Sequence, residues 1–195
     1  MNWKDIIQVI KFNFSPKITL NFRSTGYKVD KPMKRENEKV SSHFTLNELT
    51  KTKRKEYLER NRTLTDKEMD KLYELAKFAE NVRVVVGAPM AIHSGYRHEE
   101  LSIAVGSTST SQHTKFEALD FHAVGDLVEE TFNRLYRAVK NKTLIIGQLI
   151  FENDGKTKWI HISMKVPSRP LSRCGMVLKM LKGKYILLDQ IKYEA

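Results

Sequence analysis

Apolar positions along the chain fall into two rhythms. Met69, Leu72, Leu75, Ala76 and Ala79 recur at helical spacing behind Thr65-Asp66-Lys67-Glu68. That Thr-x-x-Glu order is a capping box, in which the two side chains satisfy backbone N–H groups at a helix start. Thr45-Leu46-Asn47-Glu48 repeats the signal and predicts a short helix near His43-Phe44, where order is expected to begin. Residues 51–62 are highly charged and read as a surface loop or exposed helix. Residues 82–86 are β-branched, stop at Gly87 and read as a strand; residues 90–94 read as a second strand, ended by Gly95. A short helix is expected over 97–105. An amphipathic helix is expected over 127–139, with apolar positions 128, 132, 135, 136 and 139. Residues 144–152 and 159–164 read as strands joined through Asn153-Asp154-Gly155, a hairpin signal. Residues 167–180 read as loop then helix, and 185–188 as a last short strand. Near the N-terminus, Ile18, Leu20 and Phe22 alternate as in a short strand, and 31–39 is a charged, Pro-containing linker. Helices come early and strands cluster late with a hairpin. This order predicts an α+β fold with a central antiparallel sheet and packed helices, not a doubly wound sheet.

Charge divides the 195 residues unevenly. The net charge is +11, with nine Lys/Arg against four Asp/Glu over 1–40 and seven against two over 164–195. The expected organisation is a basic N-terminal extension and linker (1–40), a folded domain (41–185) and a C-terminal tail (186–195). Basic ends suit contact with an anionic polymer (nucleic acid, cell wall or membrane surface), or they simply solubilise. No apolar run approaches the ~20 residues of a membrane span. Asp5, Gln8 and Lys11 interrupt the N-terminal apolar residues, and no small-residue cleavage site follows. No secretory signal is therefore read, and the chain is expected to begin in the cytosol of the producing cell. Cys174 is the single cysteine, which excludes an intrachain disulfide and a thiolate-rich metal site.

Three segments carry candidate chemistry: Ser94-Gly95-Tyr96-Arg97; Ser111-Gln112-His113 with Asp120 seven positions after the histidine; and Trp159-Ile160-His161-Ile162-Ser163. Imidazole and carboxylate suit zinc, and hydrolytic zinc sites usually take three protein ligands and keep a fourth position open. Singly, a strand histidine or an aspartate after a small residue is more often structural. In this order the segments resemble the zinc D-Ala-D-Ala carboxypeptidase family. That family includes phage cell-wall endopeptidases and shares its metal-site fold with hedgehog signalling domains. Its pattern is Ser-Gly-Tyr-Arg, then Ser-x-His-x6-Asp, then Trp-(Ile/Val)-His. The opening His43 to Leu49, HFTLNEL, is also similar, and the likeness covers roughly 41–185.

The resemblance implies a zinc peptidase domain with His113, Asp120 and His161 as ligands. It gives Arg97 the substrate's carbonyl or terminal carboxylate, a role suited to a planar fork of donors. Ser111 would orient the substrate or the His113 loop, and Gln148 would touch substrate. Some relatives place the general base three residues before the last zinc histidine, where Lys158 stands here. Others place it at the end of the preceding strand, where Glu152 stands. Gln148, Ile150 and Glu152 share one strand face. With a wide hairpin loop Glu152 would lie opposite Trp159 and diagonal to His161, roughly 7 Å away. With a tight Asp154-Gly155 turn it would pair with Thr157, out of reach. Where relatives often have Gly and Ala, this chain has Phe116 and Leu119, whose bulk is expected to narrow the cleft or reshape the ligand loop. The family's Val-Gly-Gly is Val105-Gly106-Ser107. His122, two residues after Asp120, is either a partner of the site or structural.

The expected function is hydrolysis of peptide bonds in peptidoglycan stem peptides, as a carboxypeptidase or endopeptidase. The family's habit suggests a phage or viral lytic protein, virion-associated or released to act on the wall. Two alternatives remain open: a zinc-binding module with weak or no catalysis, and a wall- or nucleic-acid-binding virion component using the basic ends.

Overall fold

The structure, a computed structural model, describes residues 33–35 and 37–193. The alternation at Ile18, Leu20 and Phe22 lies outside them. Both capping boxes form: the Glu48 N–H donates to Thr45 Oγ1 at 3.3 Å, and the Glu68 N–H to Thr65 Oγ1 at 3.2 Å. They open helices α1 (Leu46–Leu49) and α3 (Asp66–Val86). Between these lie α2 (Leu58–Arg62) and a small two-stranded ribbon, β1 (Met33–Lys34) against β2 (Thr63–Leu64). The remaining elements are β3 (Met90–Ser94), α4 (Glu99–Ala104), β4 (Ala118–Ala123), α5 (Val128–Lys140), β5 (Gln148–Asn153), β6 (Lys158–Ser163), β7 (Met176–Leu181) and β8 (Lys184–Gln190).

Two element readings are corrected. Residues 82–86 are the last turns of α3, not a strand. Val82 and Val86 are buried and extend the stripe of Leu75, Ala76 and Ala79, while Val84 is exposed. Packing of that stripe outweighs the small helix penalty of β-branched residues. Gly87, at φ 70°, then supplies the left-handed cap and donates to the Arg83 carbonyl at 2.9 Å. The segment expected to become helix by 180 is instead strand β7. Val177, Leu178 and Met180 are all buried. A strand covered on both faces loses the alternation that marks a half-exposed one.

The six strands run in the order β3-β4-β6-β5-β7-β8. Fold class is α+β, as expected, but the sheet is mixed: β7 runs parallel to β5 and the other pairs are antiparallel. Segment 164–175 crosses past the Gln148 end of β5 to reach its far side. β8 extends the sheet to Gln190.

The two faces of the sheet differ. Leu119, Phe121, Leu149, Phe151, Ile160 and Ile162 belong to the main core, with α3 and α5 packed over them. Phe132 meets Phe151 edge-on at 5.8 Å. Strand parity sends Asp120, Gln148, Ile150, Glu152, Trp159 and His161 to the opposite face. There a small apolar cluster of Ile150, Leu178 and Met180, flanked by Trp159 and Met176, sits beside polar side chains.

Candidate metal centre

Asp120 and His161 face each other directly across β4 and β6. His161 Nδ1 lies 2.9 Å from Asp120 Oδ1. His113 arrives from a separate element, the 3-10 turn Gln112–Lys115. Its Nε2 is 3.3 Å from both Asp120 Oδ2 and His161 Nδ1. One ligand atom from each residue fits within a 4.8 Å group. Among the described residues this is the only group of its kind.

The turn is held from several directions. Ser111 caps it, accepting from the His113 N–H at 3.4 Å. The Arg97 N–H donates to the His113 carbonyl at 3.2 Å. His113 Nδ1 donates to the Gly95 carbonyl at 2.7 Å, so Nε2 keeps its lone pair toward the group. Gly95 itself is pinned beside α1. A Cβ there would stand 2.3 Å from the Leu49 carbonyl oxygen, which already accepts from the Tyr96 N–H at 2.7 Å. Buried Asn61 completes the clamp. It donates to the Thr50 and Tyr96 carbonyls at 2.6 and 3.0 Å and accepts from the His98 N–H at 2.7 Å. Residues 51–62 thus contribute a buried support that their charge-rich composition conceals.

Phe116 closes the turn at φ 62°, a left-handed conformation that Gly adopts without penalty. Its ring does not enter the cleft. It is buried and stacked on Tyr96 with centroids 3.9 Å apart. Leu119 points into the main core on the other side of the sheet. The expected narrowing of the cleft by these two residues is not found.

A cavity of about 580 Å³ lies over the three residues, and Arg97, Ser111, Gln148 and Glu152 all line it. Every expected site residue therefore borders one space. Glu152 pairs with Trp159, and Asn153 with Lys158, so the hairpin loop is the wide one and Glu152 lies diagonal to His161. Burial pushes the Glu152 carboxyl up to about 7, and the Asp120 charge adds to this. Burial lowers the pKa of His113, against the opposing pull of the Asp120 carboxylate. Burial opposes ionisation of Asp120 too, but His113 and then His161 overcome it and hold its carboxyl well below the usual range. Arg97 Nη2 donates to Asp120 Oδ2 at 3.0 Å. Its buried Nε has no hydrogen-bond partner among the described residues.

Gln112, Trp159 and Tyr185 also border the cavity. The Gln112 amide stands between His161 Nε2, 3.1 Å away, and the Arg169 guanidinium. With its oxygen toward Arg169 and Ser163, its nitrogen donates to His161 Nε2 and to Gln148 Oε1 at 2.9 Å. With its oxygen toward His161, it accepts from an Nε2–H. A cation on Nδ1 requires that proton on Nε2, and so selects the second orientation. Gln112 sits inside a motif and was legible as a neighbour. Tyr185 arrives only through β7–β8 pairing, which no local signal shows. His122 shares the face of Asp120 but hydrogen-bonds to His93, ring nitrogens 2.7 Å apart. Lys158 is tied to Glu129 at 2.5 Å. His43 pairs with Glu80 at 2.8 Å.

Two imidazoles and one carboxylate at the floor of an open cleft, on an α+β sheet, form a group that could hold a metal ion. The donor chemistry fits a divalent metal: both imidazoles offer a nitrogen to the group, and the carboxylate is ionised. A family model described as Peptidase M15 matches residues 42–163, and the chain belongs to that family. No curated protein matches the chain closely enough to stand as a relative.

Proposed function

We propose that the chain is a zinc-dependent peptidase that hydrolyses peptide bonds in peptidoglycan stem peptides. The observation that carries this reading is the placement of Glu152. It stands on the strand beside His161, with a carboxyl pushed up to about 7, in the cavity that holds His113, Asp120 and His161. The three residues would hold zinc, which when bound polarises a scissile carbonyl and acidifies water.

The chain's own groups do the rest. Glu152 removes the proton of the attacking water and returns it to the leaving amine, a task suited to a pKa near the working pH. Arg97 faces the carbonyl oxygen or the substrate's carboxylate. Its guanidinium borders the cavity, and its buried Nε has no hydrogen-bond partner among the described residues, while Nη2 holds Asp120. Ser111 and Gln148 contact the peptide at the start of β5. Ile150, Trp159 and Leu178 exclude water on the other side. The basic ends would hold the domain on an anionic wall.

The test is digestion of purified sacculi and defined muropeptides, with zinc measured on the same sample. About one zinc per chain and new peptide termini are expected, and both vanish on chelation or in His113→Ala. A chelated, metal-free sample that still cleaves at full rate overturns the reading. Zinc bound without any cleavage product favours a binding module instead.

A further inference from the structure

A second pair of imidazoles lies beside the metal group and takes no part in the proposed hydrolysis. The pairing of β3 with β4 slips between Ile92 and Ser94, so that His93 and Ser94 together stand against Asp120. A bulge of this kind re-aims a side chain out of the regular alternation of its strand. Here it brings His93 onto His122, two residues beyond Asp120 on the neighbouring strand. His93 Nε2 and His122 Nδ1 approach to 2.7 Å, with ring centroids 4.8 Å apart and planes tilted by 34°. His93 is exposed and His122 half-buried, so solvent reaches the pair.

The same convergence of ring nitrogens marks the metal group, where His113 Nε2 and His161 Nδ1 lie 3.3 Å apart. With Zn–N bonds of about 2.0–2.1 Å and tetrahedral angles, two nitrogens on one zinc stand about 3.3 Å apart. The His93–His122 pair reaches that spacing by opening about 0.6 Å from its 2.7 Å contact, and His93 is exposed enough to give way. Without a metal, one ring must donate and the other accept. A cation between them takes a lone pair from each ring, with both N–H groups on the outer nitrogens, His93 Nδ1 and His122 Nε2.

Charge ranks this pair below the first group. Lys53 borders the same cavity as His93, and the charges of Lys53 and Lys51 both reach that ring. Asp154, in the same cavity, spends its carboxylate on its own loop, accepting from the Lys156 and Thr157 N–H groups at 2.8 and 2.7 Å. Two imidazoles without a free carboxylate, beside lysines, hold a divalent ion more weakly than His113, Asp120 and His161 do.

We propose that His93 and His122 form a second metal site. It takes a divalent transition metal that favours imidazole (zinc, copper or nickel), with water in the remaining positions. The site goes beyond the peptidase reading and does not depend on it. It fills after the first group, and protein separated from excess zinc keeps only the ion on His113, Asp120 and His161.

The test is a zinc titration of the full, tag-free chain, followed by calorimetry and by the NMR signals of the histidine ring nitrogens. All six histidines lie between residues 43 and 161, so the basic ends add none. Two binding steps are expected. The second should move the signals of His93 Nε2 and His122 Nδ1, and should be lost in His93→Gln and in His122→Gln while the first step remains. His161→Ala should lose the first step and keep the second. A single step, a second step that leaves those two nitrogens unmoved, or one that persists in both glutamine variants overturns the proposal. Should a variant fail to fold, the nitrogen signals of the parent still decide. Loss of the first step alone in the parent would count against the zinc peptidase reading and leave the second site standing.

Discussion

Glu152 concentrates the chemistry at the scale of single residues. Its carboxyl is pushed up to about 7 by burial first and by the Asp120 charge second, against an ordinary value of 4.5. Between those two values the folded metal-free chain holds a proton that the unfolded chain has lost. Stability therefore falls as pH rises through this window and levels off above it. Glu152→Gln should remove that dependence in urea titrations of the metal-free protein. In the zinc-loaded protein the cation favours the carboxylate and moves the pKa below 7. The proposed role then makes kcat/KM rise with pH along an acid limb and reach its plateau once Glu152 is ionised. Glu152→Gln should retain zinc, lose the limb and lower kcat by about a hundredfold. Unchanged kcat with zinc bound removes Glu152 from the mechanism.

Short elements set the geometry that those residues need. The turn bearing His113 ends at Phe116, held left-handed yet stacked on Tyr96. Phe116→Gly would relieve about 1 kcal/mol of backbone strain and forfeit a buried ring worth about 3–5 kcal/mol. Denaturant unfolding should show a net loss of about 2–4 kcal/mol, while zinc stoichiometry stays at the parent value because the ring lies outside the metal cavity. Gly95→Ala should act differently. Its Cβ would overlap the Leu49 carbonyl oxygen, so the carbonyl that fixes His113 Nδ1 must move. Overpacking of this kind costs about 1–3 kcal/mol, and zinc affinity should fall with Tm. Parent-like zinc affinity in Gly95→Ala would show that the clamp does not position His113. Both capping boxes, α5 and the β5–β6 hairpin were legible because their signals are local. The end of α3 and all of β7 were misread because burial, not local preference, decided them.

Charge is a property of the whole molecule. Net charge is +11, and the excess lies toward the two ends. If those ends hold the domain on an anionic polymer, retention on sacculi or on DNA should fall steeply with salt. Cleavage of small soluble peptides should change much less, since the metal group is buried and screened little by ions. Removing residues 1–32 should reduce retention while leaving zinc content unchanged. Retention insensitive to salt would reduce the basic ends to a solubilising surface.

The residue types of the site were readable before any fold was known, because metal ligands are restricted to few side chains and here stand in three short ordered segments. His113, Asp120 and His161 come together as those segments suggest, and Arg97, Ser111, Gln148 and Glu152 border the same cavity. What the linear order left open was long-range pairing. Strand parity put Glu152 on the correct face, but the register of β5 on β6, set by the wide loop 154–157, decided that it stands opposite Trp159. The crossing of β7 to the far side of β5 brought Arg169, Arg173 and Tyr185 to the cleft, and Asn61 to its place behind Tyr96 was decided by burial. Local patterns report propensity and spacing within a few residues. Register, crossover and burial are set by contacts between distant segments, and only the folded chain contains them.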